Sequence, residues 1–254
     1  MVTIVTPSFN QSSFLPHTLA SVRGQDYPNV EHIIMDGGST DGTLEILQAA
    51  PGIIWVSEKD RGQVHAINKG FQRATGEILA WLNSDDTLNP DTIRLAVTAL
   101  QRTGADLVYG DVEIINKNGT PLKLSRGIPF DYRVLLYGIN YIGQQTAFFR
   151  RELLTKAGPL REEYDNGFDY ELWLRMALHG RLAYTPELRA QIRLHPTAKS
   201  VARSAVTHRD RERIREEYWS QGGRAQFWMR QPMRQILNYW YRLRRQLAIR
   251  SSST

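Results

Sequence analysis

The residues best suited to chemistry in this chain of 254 residues cluster where an apolar run ends: Asn83-Ser84-Asp85-Asp86. Carboxylate oxygens suit Mg2+ or Mn2+, hard cations that take one or two protein carboxylates and leave their other positions to phosphate and water. A cation held there would bridge a diphosphate and stabilise its charge as it leaves. The alternative is structural. Asp86 or Asn89 would cap the helix that starts near Pro90. Both roles are compatible, because Asn89 suffices as the cap.

A second carboxylate stands far along the chain, in Phe168-Asp169-Tyr170-Glu171-Leu172-Trp173. It opens a helical pattern after a Gly-containing loop and suits a general base that takes a proton from a hydroxyl. Its structural alternative is a cap by Asn166, completed by Asp169. His195, at the end of a short apolar run, reads either as a structural hydrogen bonder or as a further ligand for metal or phosphate.

Three more polar stretches accompany them. In Asp36-Gly37-Gly38-Ser39-Thr40-Asp41 the glycines allow a sharp turn, Ser39 or Thr40 can cap the next helix, and Asp36 can accept a base N–H. Otherwise it is a plain turn. In Thr6-Pro7-Ser8-Phe9-Asn10, Phe9 can stack on a nucleobase while backbone near Thr6 reads its edge, or Phe9 is simply core. Glu58 to Gln63, with Asn68 and Lys69, can touch ribose and phosphate, or form a solvated loop.

These stretches need elements to bring them together. Val2–Thr6, Val30–Met35, Ile53–Val56 and Ile78–Leu82 read as strands, and each is followed by a polar tip and then by helical spacing, around Leu15 and Leu19, Leu44 and Leu47, or Val64 and Phe71. Four such units in about 100 residues predict an α/β fold with a doubly wound parallel sheet. Ligands of such sheets bind at the C-terminal strand edge, which gathers the four tips. Later, residues 106–115 predict a longer strand, Lys117-Asn118-Gly119 a hairpin, residues 144–150 a strand, 166–179 a helix, and Ala190–Leu194 a short strand. From about 199 the chain reads as helical and Arg-rich.

Composition narrows the classes. The chain is 41% hydrophobic and 23% charged, as globular proteins are. It has no cysteine, which excludes disulfides and thiolate metal sites. There is no G-x-G-x-x-G after the first strand, no P-loop and no G-x-S-x-G elbow. The opening MVTIVTPSFN shows no signal-peptide pattern, and no apolar run approaches the ~20 residues that span a bilayer. The expected location is cytoplasmic, with peripheral contact to the membrane's inner face. The net charge of +6 is uneven: residues 201–254 carry twelve Arg against four carboxylates, a balance of +8, so 1–200 carry −2. Met233, Ile236, Trp240, Leu243 and Leu247 fall on one helical stripe, with Arg230, Arg234, Arg244 and Arg245 off it. Such a helix suits an anionic membrane surface, or packs on the body or on a second subunit. Nucleic-acid binding through this tail is not expected, because it explains none of the first 200 residues.

Taken together, VTIVTPSFNQ, SVRGQDYPNVEHIIMDGGSTDGT, NKGFQRATGEILAWLNSDD, QQTAFFRRELLTKAGPL and FDYELWLRM resemble family 2 of the inverting glycosyltransferases, which have the GT-A fold. The resemblance covers about 1–200, with a nucleotide-binding half at 1–104, an acceptor-binding half at 105–200, and a helical basic extension at 201–254. It implies a nucleotide-diphosphate-sugar donor, a UDP-sugar foremost, and a saccharide or lipid-linked acceptor in surface polysaccharide or glycolipid assembly. Thr6, Pro7, Phe9, Asp36 and Asp60 match donor-binding positions. Asn83-Ser84-Asp85-Asp86 matches the family's D-x-D segment. There Asp85 is the metal ligand for Mn2+ or Mg2+, with His195 as a candidate, while Asn83, Ser84 and Asp86 orient the donor. Asp169 matches the catalytic base. Gln144, Gln145 and Trp173 are expected to meet the acceptor. Two departures stand out: Phe168 occupies the place of a frequent Glu, and Asn83 that of the usual first Asp. The competing reading is a non-catalytic nucleotide-sugar-binding or scaffold protein.

Overall fold

The computed structural model describes residues 1–164, 166–199, 204–220 and 239. The chain order is β1 (Val2–Ser8), α1 (Leu15–Arg23), β2 (Val30–Asp36), α2 (Thr43–Ala49), β3 (Ile54–Ser57), α3 (Gln63–Arg73), β4 (Ile78–Trp81), β5 (Thr87–Leu88), α4 (Thr92–Thr103), β6 (Leu107–Asn116) and β7 (Pro121–Ser125). A π-turn at 134–138 and a 3-10 turn at 144–146 follow, then β8 (Phe148–Arg150), α5 (Arg151–Ala157), α6 (Phe168–Met176), β9 (Leu182–Leu194) and α7 (Ser204–Ser220).

One sheet runs in the order β3-β2-β1-β4-β8-β6-β9-β5, with β7 paired to β6. The first four strands are parallel, as their apolar runs predict. Every residue of β1 is buried, so it is the centre of that half. Its register sets Ser8 beside Asp36, and Asp36 beside Ser57, so three polar tips end level with one another. Gly70 lets α3 lie close on β1: a Cβ there would stand 2.3 Å from Val5 Cγ1. On the opposite face Leu15, Leu19, Ile34 and Leu47 pack together, which joins α1 and α2 to the sheet.

Beyond β4 the sheet turns mixed. β8 runs antiparallel to both β4 and β6, and β9 runs parallel to β6. The hairpin at 117–119 joins β6 to β7, with Gly119 at φ +87°. Two elements differ from expectation. Residues 144–146 curl as a 3-10 turn, leaving only Phe148–Arg150 as strand. The short strand expected at Ala190–Leu194 is instead the 13-residue β9. Pro186 interrupts its pattern, and the register shifts from Tyr109↔Tyr184 to Asp111↔Arg189 across that point. Expected caps also differ. The helix after Pro90 begins at Thr92 with no side-chain cap, and Asn89 Oδ1 is buried without a partner among the described residues. Gln25 Oε1 instead accepts from Ile93 N at 2.9 Å. Asn166 does not cap α6, which starts after Gly167 without a side-chain cap.

The second half is built around Trp81. Phe71, Phe149, Phe168 and Trp173 surround it, Trp173 stacked at 5.3 Å. Trp173 is fully buried, so it is a core residue and not the acceptor platform expected from sequence. The helical stretch after 200 packs on this half. Ile214, Tyr218 and Trp219 of α7 are buried, Arg215 Nη2 donates to Gly138 O (2.6 Å), and Tyr218 Oη donates to Glu171 Oε1 (2.6 Å). The amphipathic stripe from Met233 to Leu247 and its flanking arginines lie outside the described residues. Among the described residues no helix is long and apolar enough to cross a membrane.

Candidate active site

At the tips of β1, β2 and β3 the side chains divide into organisers and exposed groups. Asp36 is an organiser. Its Oδ2 accepts from Gly38 N (3.0 Å), Ser39 N (2.9 Å) and Ser57 Oγ (2.7 Å), and its Oδ1 from Ser39 Oγ. These donors consume its acceptor capacity, so Asp36 shapes the loop and does not line the cleft. Thr6 is also buried, bonded through Oγ1 to His32 Nε2 at 2.9 Å. The groups left to the cleft are Phe9, 58% accessible, and the half-buried Asp60. Both close on Gly37, where a Cβ would lie 2.8 Å from Asp60 Oδ2 and 3.3 Å from Phe9 Cδ2. The three make a slot with an aromatic wall, a bare backbone floor and a carboxylate edge.

The tip of β4 is tied down more heavily. Asn83 accepts from Gln63 Nε2 (2.7 Å) and donates to Asp86 Oδ2 (3.1 Å) and Gln144 Oε1 (3.3 Å). Asp86 is almost wholly buried, and also accepts from Gln145 Nε2 (2.7 Å) and Arg193 N (2.9 Å). Burial, then the neighbouring charge of Asp85, push its carboxyl up to about 8, against the opposing hydrogen bonds. Gln144 also donates to Trp81 O (2.5 Å). Gln144 and Gln145 therefore brace the acidic tip, where sequence placed them against the acceptor.

Asp85 lines the cleft. Its Oδ2 lies 2.9 Å from His195 Nε2, and its side chain is 20% accessible. His195 is held in turn by Thr197 Oγ1 on Nδ1 (2.9 Å) and by Phe14, whose ring centre is 4.5 Å away. Arg193 Nε donates to Asp85 O at 2.9 Å. The C-terminal end of β9 thus carries two side chains that meet the acidic tip.

Asp169 opens α6, where the helix N-terminus favours a carboxylate. Asn140 Nδ2 donates to its Oδ2 at 3.0 Å. Burial raises its pKa above the ordinary aspartate value, offset by hydrogen bonds and by the positive charge of Arg211.

A cleft of about 1340 Å³ runs over all four strand tips. Pro7, Phe9, Asp60, Asn83, Ser84, Asp85, Asp86, Gln144, Gln145 and Asp169 line it, whereas Thr6, Asp36, Trp173 and His195 do not. Asp85 and Asp169 therefore share one cavity with the Phe9 slot.

The family model "Glycosyl transferase family 2" matches residues 3–158, more than half of the chain. The chain belongs to glycosyltransferase family 2. Among relatives, it is 36% identical over 182 residues to an uncharacterized glycosyltransferase of Mycobacterium tuberculosis, covering 70% of this chain and 69% of that one. It is 35% identical to a PGL/p-HBAD biosynthesis glycosyltransferase of Mycobacterium bovis BCG, covering 69% of each. The fold is that of S. aureus TarS 1-349 in complex with UDP (TM-score 0.63, 20% identity, 77% of this chain, 61% of that one). It is also that of the mannosyltransferase PcManGT of Pyrobaculum calidifontis in complex with GDP-Man and Mn2+ (TM-score 0.59, 23% identity, 78% and 58%).

Asp169 and β9 of this glycosyltransferase lie beyond the matched stretch. Sequence reasoning missed Asn140, Arg193, Lys199 and Arg211, all of which line the cleft. Arg193 carried a faint signal, a charge within the apolar run Ala190–Leu194. Arg211 carried none, being one of many arginines on a helix without a clear apolar stripe.

Proposed function

We propose that this glycosyltransferase inverts configuration, transferring a sugar from a nucleoside diphosphate, foremost UDP, to an acceptor hydroxyl with Asp169 as general base. The observation that carries the proposal is that Asp85 and Asp169 face one cleft together with the Phe9–Gly37–Asp60 slot. The bare backbone at Gly37 lets Phe9 and Asp60 come close to the tip of β2 and to each other, so that a base stacked on the exposed Phe9 ring would have the Asp60 carboxylate beside it to accept an edge N–H. The UDP and GDP-Man bound by the structural neighbours support a nucleotide donor here.

A divalent cation fits the residues present. Asp85 and His195 offer an oxygen and a nitrogen 2.9 Å apart, a donor pair that suits Mn2+ when phosphate and water complete the shell. For His195 to be a ligand, its Nδ1–H must donate to Thr197 Oγ1, which leaves Nε2 as the acceptor. When bound, the cation would supply Lewis-acid stabilisation of the departing diphosphate. Asp86 and Asn83 hold the tip rigid, and Gln144 and Gln145 lock both. Asp169, oriented by Asn140, takes the proton of the attacking hydroxyl. That oxygen bonds the anomeric carbon as the diphosphate leaves from the opposite side. The M. bovis relative is named for PGL/p-HBAD biosynthesis, which supports a role in glycoconjugate assembly here, with a lipid-linked or saccharide acceptor.

The test is a screen of UDP- and GDP-sugars for Mn2+-dependent thermal stabilisation, followed by analysis of the anomeric configuration of the product. Donor binding without turnover, unaltered by Asp169→Asn, would instead favour a non-catalytic binding protein.

A further inference from the structure

α7 supplies the cleft with a cation that the rest of the site does not use. Arg211 lines the cavity beside Asp169 and acts on its charge. The helix that carries it is pinned on both sides of this residue. Asp210 Oδ2 accepts from Asn166 N at 2.9 Å, and Arg215 Nη2 donates to Gly138 O at 2.6 Å. Gly167 permits the close approach, since a Cβ there would meet Ile214 Cδ1 at 2.8 Å and Asp210 Cβ at 2.9 Å. The backbone that carries Arg211 is therefore fixed against the body by its neighbours on α7.

Among the described residues, Arg211 Nε is shut off from solvent and has no hydrogen-bond partner. A buried donor without a partner is costly to keep. The other cations of the cleft differ. Arg193 is committed to the carbonyls of Asp85, Asn116 and Lys117. Lys199 lies over the Phe168 ring and donates to Gln63 Oε1. Lys59 stands at the nucleotide end, beside Gly38. Among the described residues, Arg211 is the one of these cations that sets an unpartnered donor near the carboxylate read here as the base. A cation there works against the proton affinity that burial gives Asp169, unless an anion arrives with the substrate to offset it.

We propose that Arg211 is an anion-recognition point at the acceptor end of the cleft, so that the acceptor bears a carboxylate or phosphate close to the hydroxyl that is glycosylated. The planar fork matches either group through two parallel N–H···O bonds. The inference rests on the reading of Asp169 as the base. It adds a specificity residue from a helix outside the stretch matched by the family model.

The full chain is titrated, with and without UDP and Mn2+, with two matched pairs of probes. One pair is p-nitrophenyl glucuronide against p-nitrophenyl glucoside, which reports a carboxylate. The other is glucose 6-phosphate against glucose, which reports a phosphate. At least one charged probe should bind ~10-fold or more tighter than its neutral match, since bidentate charged pairs are the stronger hydrogen bonds. R211Q should erase that preference, R211K should keep part of it, and UDP affinity should stay unchanged in both. Equal binding of charged and neutral probes, or a preference that survives R211Q, overturns the proposal. So does a loss of UDP affinity in R211Q, which would assign the residue to the donor's diphosphate. If the wild type fails to bind UDP, the donor reading falls, while the arm without nucleotide still decides the role of Arg211.

Discussion

His195 Nε2 lies 2.9 Å from Asp85 Oδ2, across 110 residues of chain. The contact exists because β9 runs beside β6 and delivers its C-terminal end to the tip of β4. His195→Ala should weaken Mn2+ binding in the presence of UDP by about 10-fold or more, in the range that metal-site partners contribute. Calorimetric titration of Mn2+ into the UDP complex measures this. An unchanged affinity would leave His195 as a structural hydrogen bonder to Asp85.

Asp169→Asn should lower transfer by about 10²–10⁴-fold, the usual contribution of a general base, with UDP affinity intact. The wild-type pH profile adds a sign. Burial raises the folded pKa of Asp169, so the active carboxylate is lost as pH falls through a value above that of an ordinary aspartate. The acidic limb of kcat/KM should therefore lie on the high side of 3.8, the ordinary value. A limb at or below it would argue against Asp169.

The slot between Phe9 and Asp60 depends on Gly37 having no side chain. Gly37→Ala puts a Cβ 2.8 Å from Asp60 Oδ2, which displaces the carboxylate and narrows the slot. UDP affinity should drop by roughly 10-fold, about 1.4 kcal/mol, while the melting temperature moves little. Retained UDP affinity would mean that the base lies elsewhere.

Buried His32 makes acid sensitivity a property of the half built on β1 to β4. Burial lowers its pKa from 6.5 to about 3. Between those values the unfolded chain binds a proton that the folded chain refuses, so stability falls as pH drops below 6.5. The slope from one such group approaches ~1.4 kcal/mol per pH unit. Urea midpoints at pH 7 and pH 5 should separate less in His32→Gln than in the wild type. An equal separation would show that other groups set the acid response.

How much of this was legible depends on the range of the interactions. Val2–Ser8, Val30–Asp36, Ile54–Ser57 and Ile78–Trp81 were visible within a residue or two, because the inner strands β1, β2 and β4 are mostly buried and so must be apolar, while the edge strand β3 still carries a β-branched and aromatic run. The polar tips were visible for the same reason, since a loop at the sheet edge cannot be apolar. The family resemblance, too, lay in those local stretches. Asp85 and Asp169 could be singled out as carboxylates that open into polar loops.

What those side chains touch was not legible. Asp36 and Asp86 look alike in sequence, as acids at strand ends. One is consumed by its own loop, and the other by Asn83, Gln145 and Arg193. Trp173 sits on the same short helix as Asp169, yet it faces Trp81 in the core, because the rotation of α6 about its axis is set by packing and not by any one residue. β9 was hidden by Pro186, which breaks the local pattern while the ladder to β6 resumes beyond it. The chain by itself determined four parallel strand tips and the kinds of group they carry, because alternation and polarity are written residue by residue. Only the tertiary structure decided that His195 meets Asp85 and that α7 brings Arg211 to Asp169, because such contacts join segments whose spacing no local pattern records.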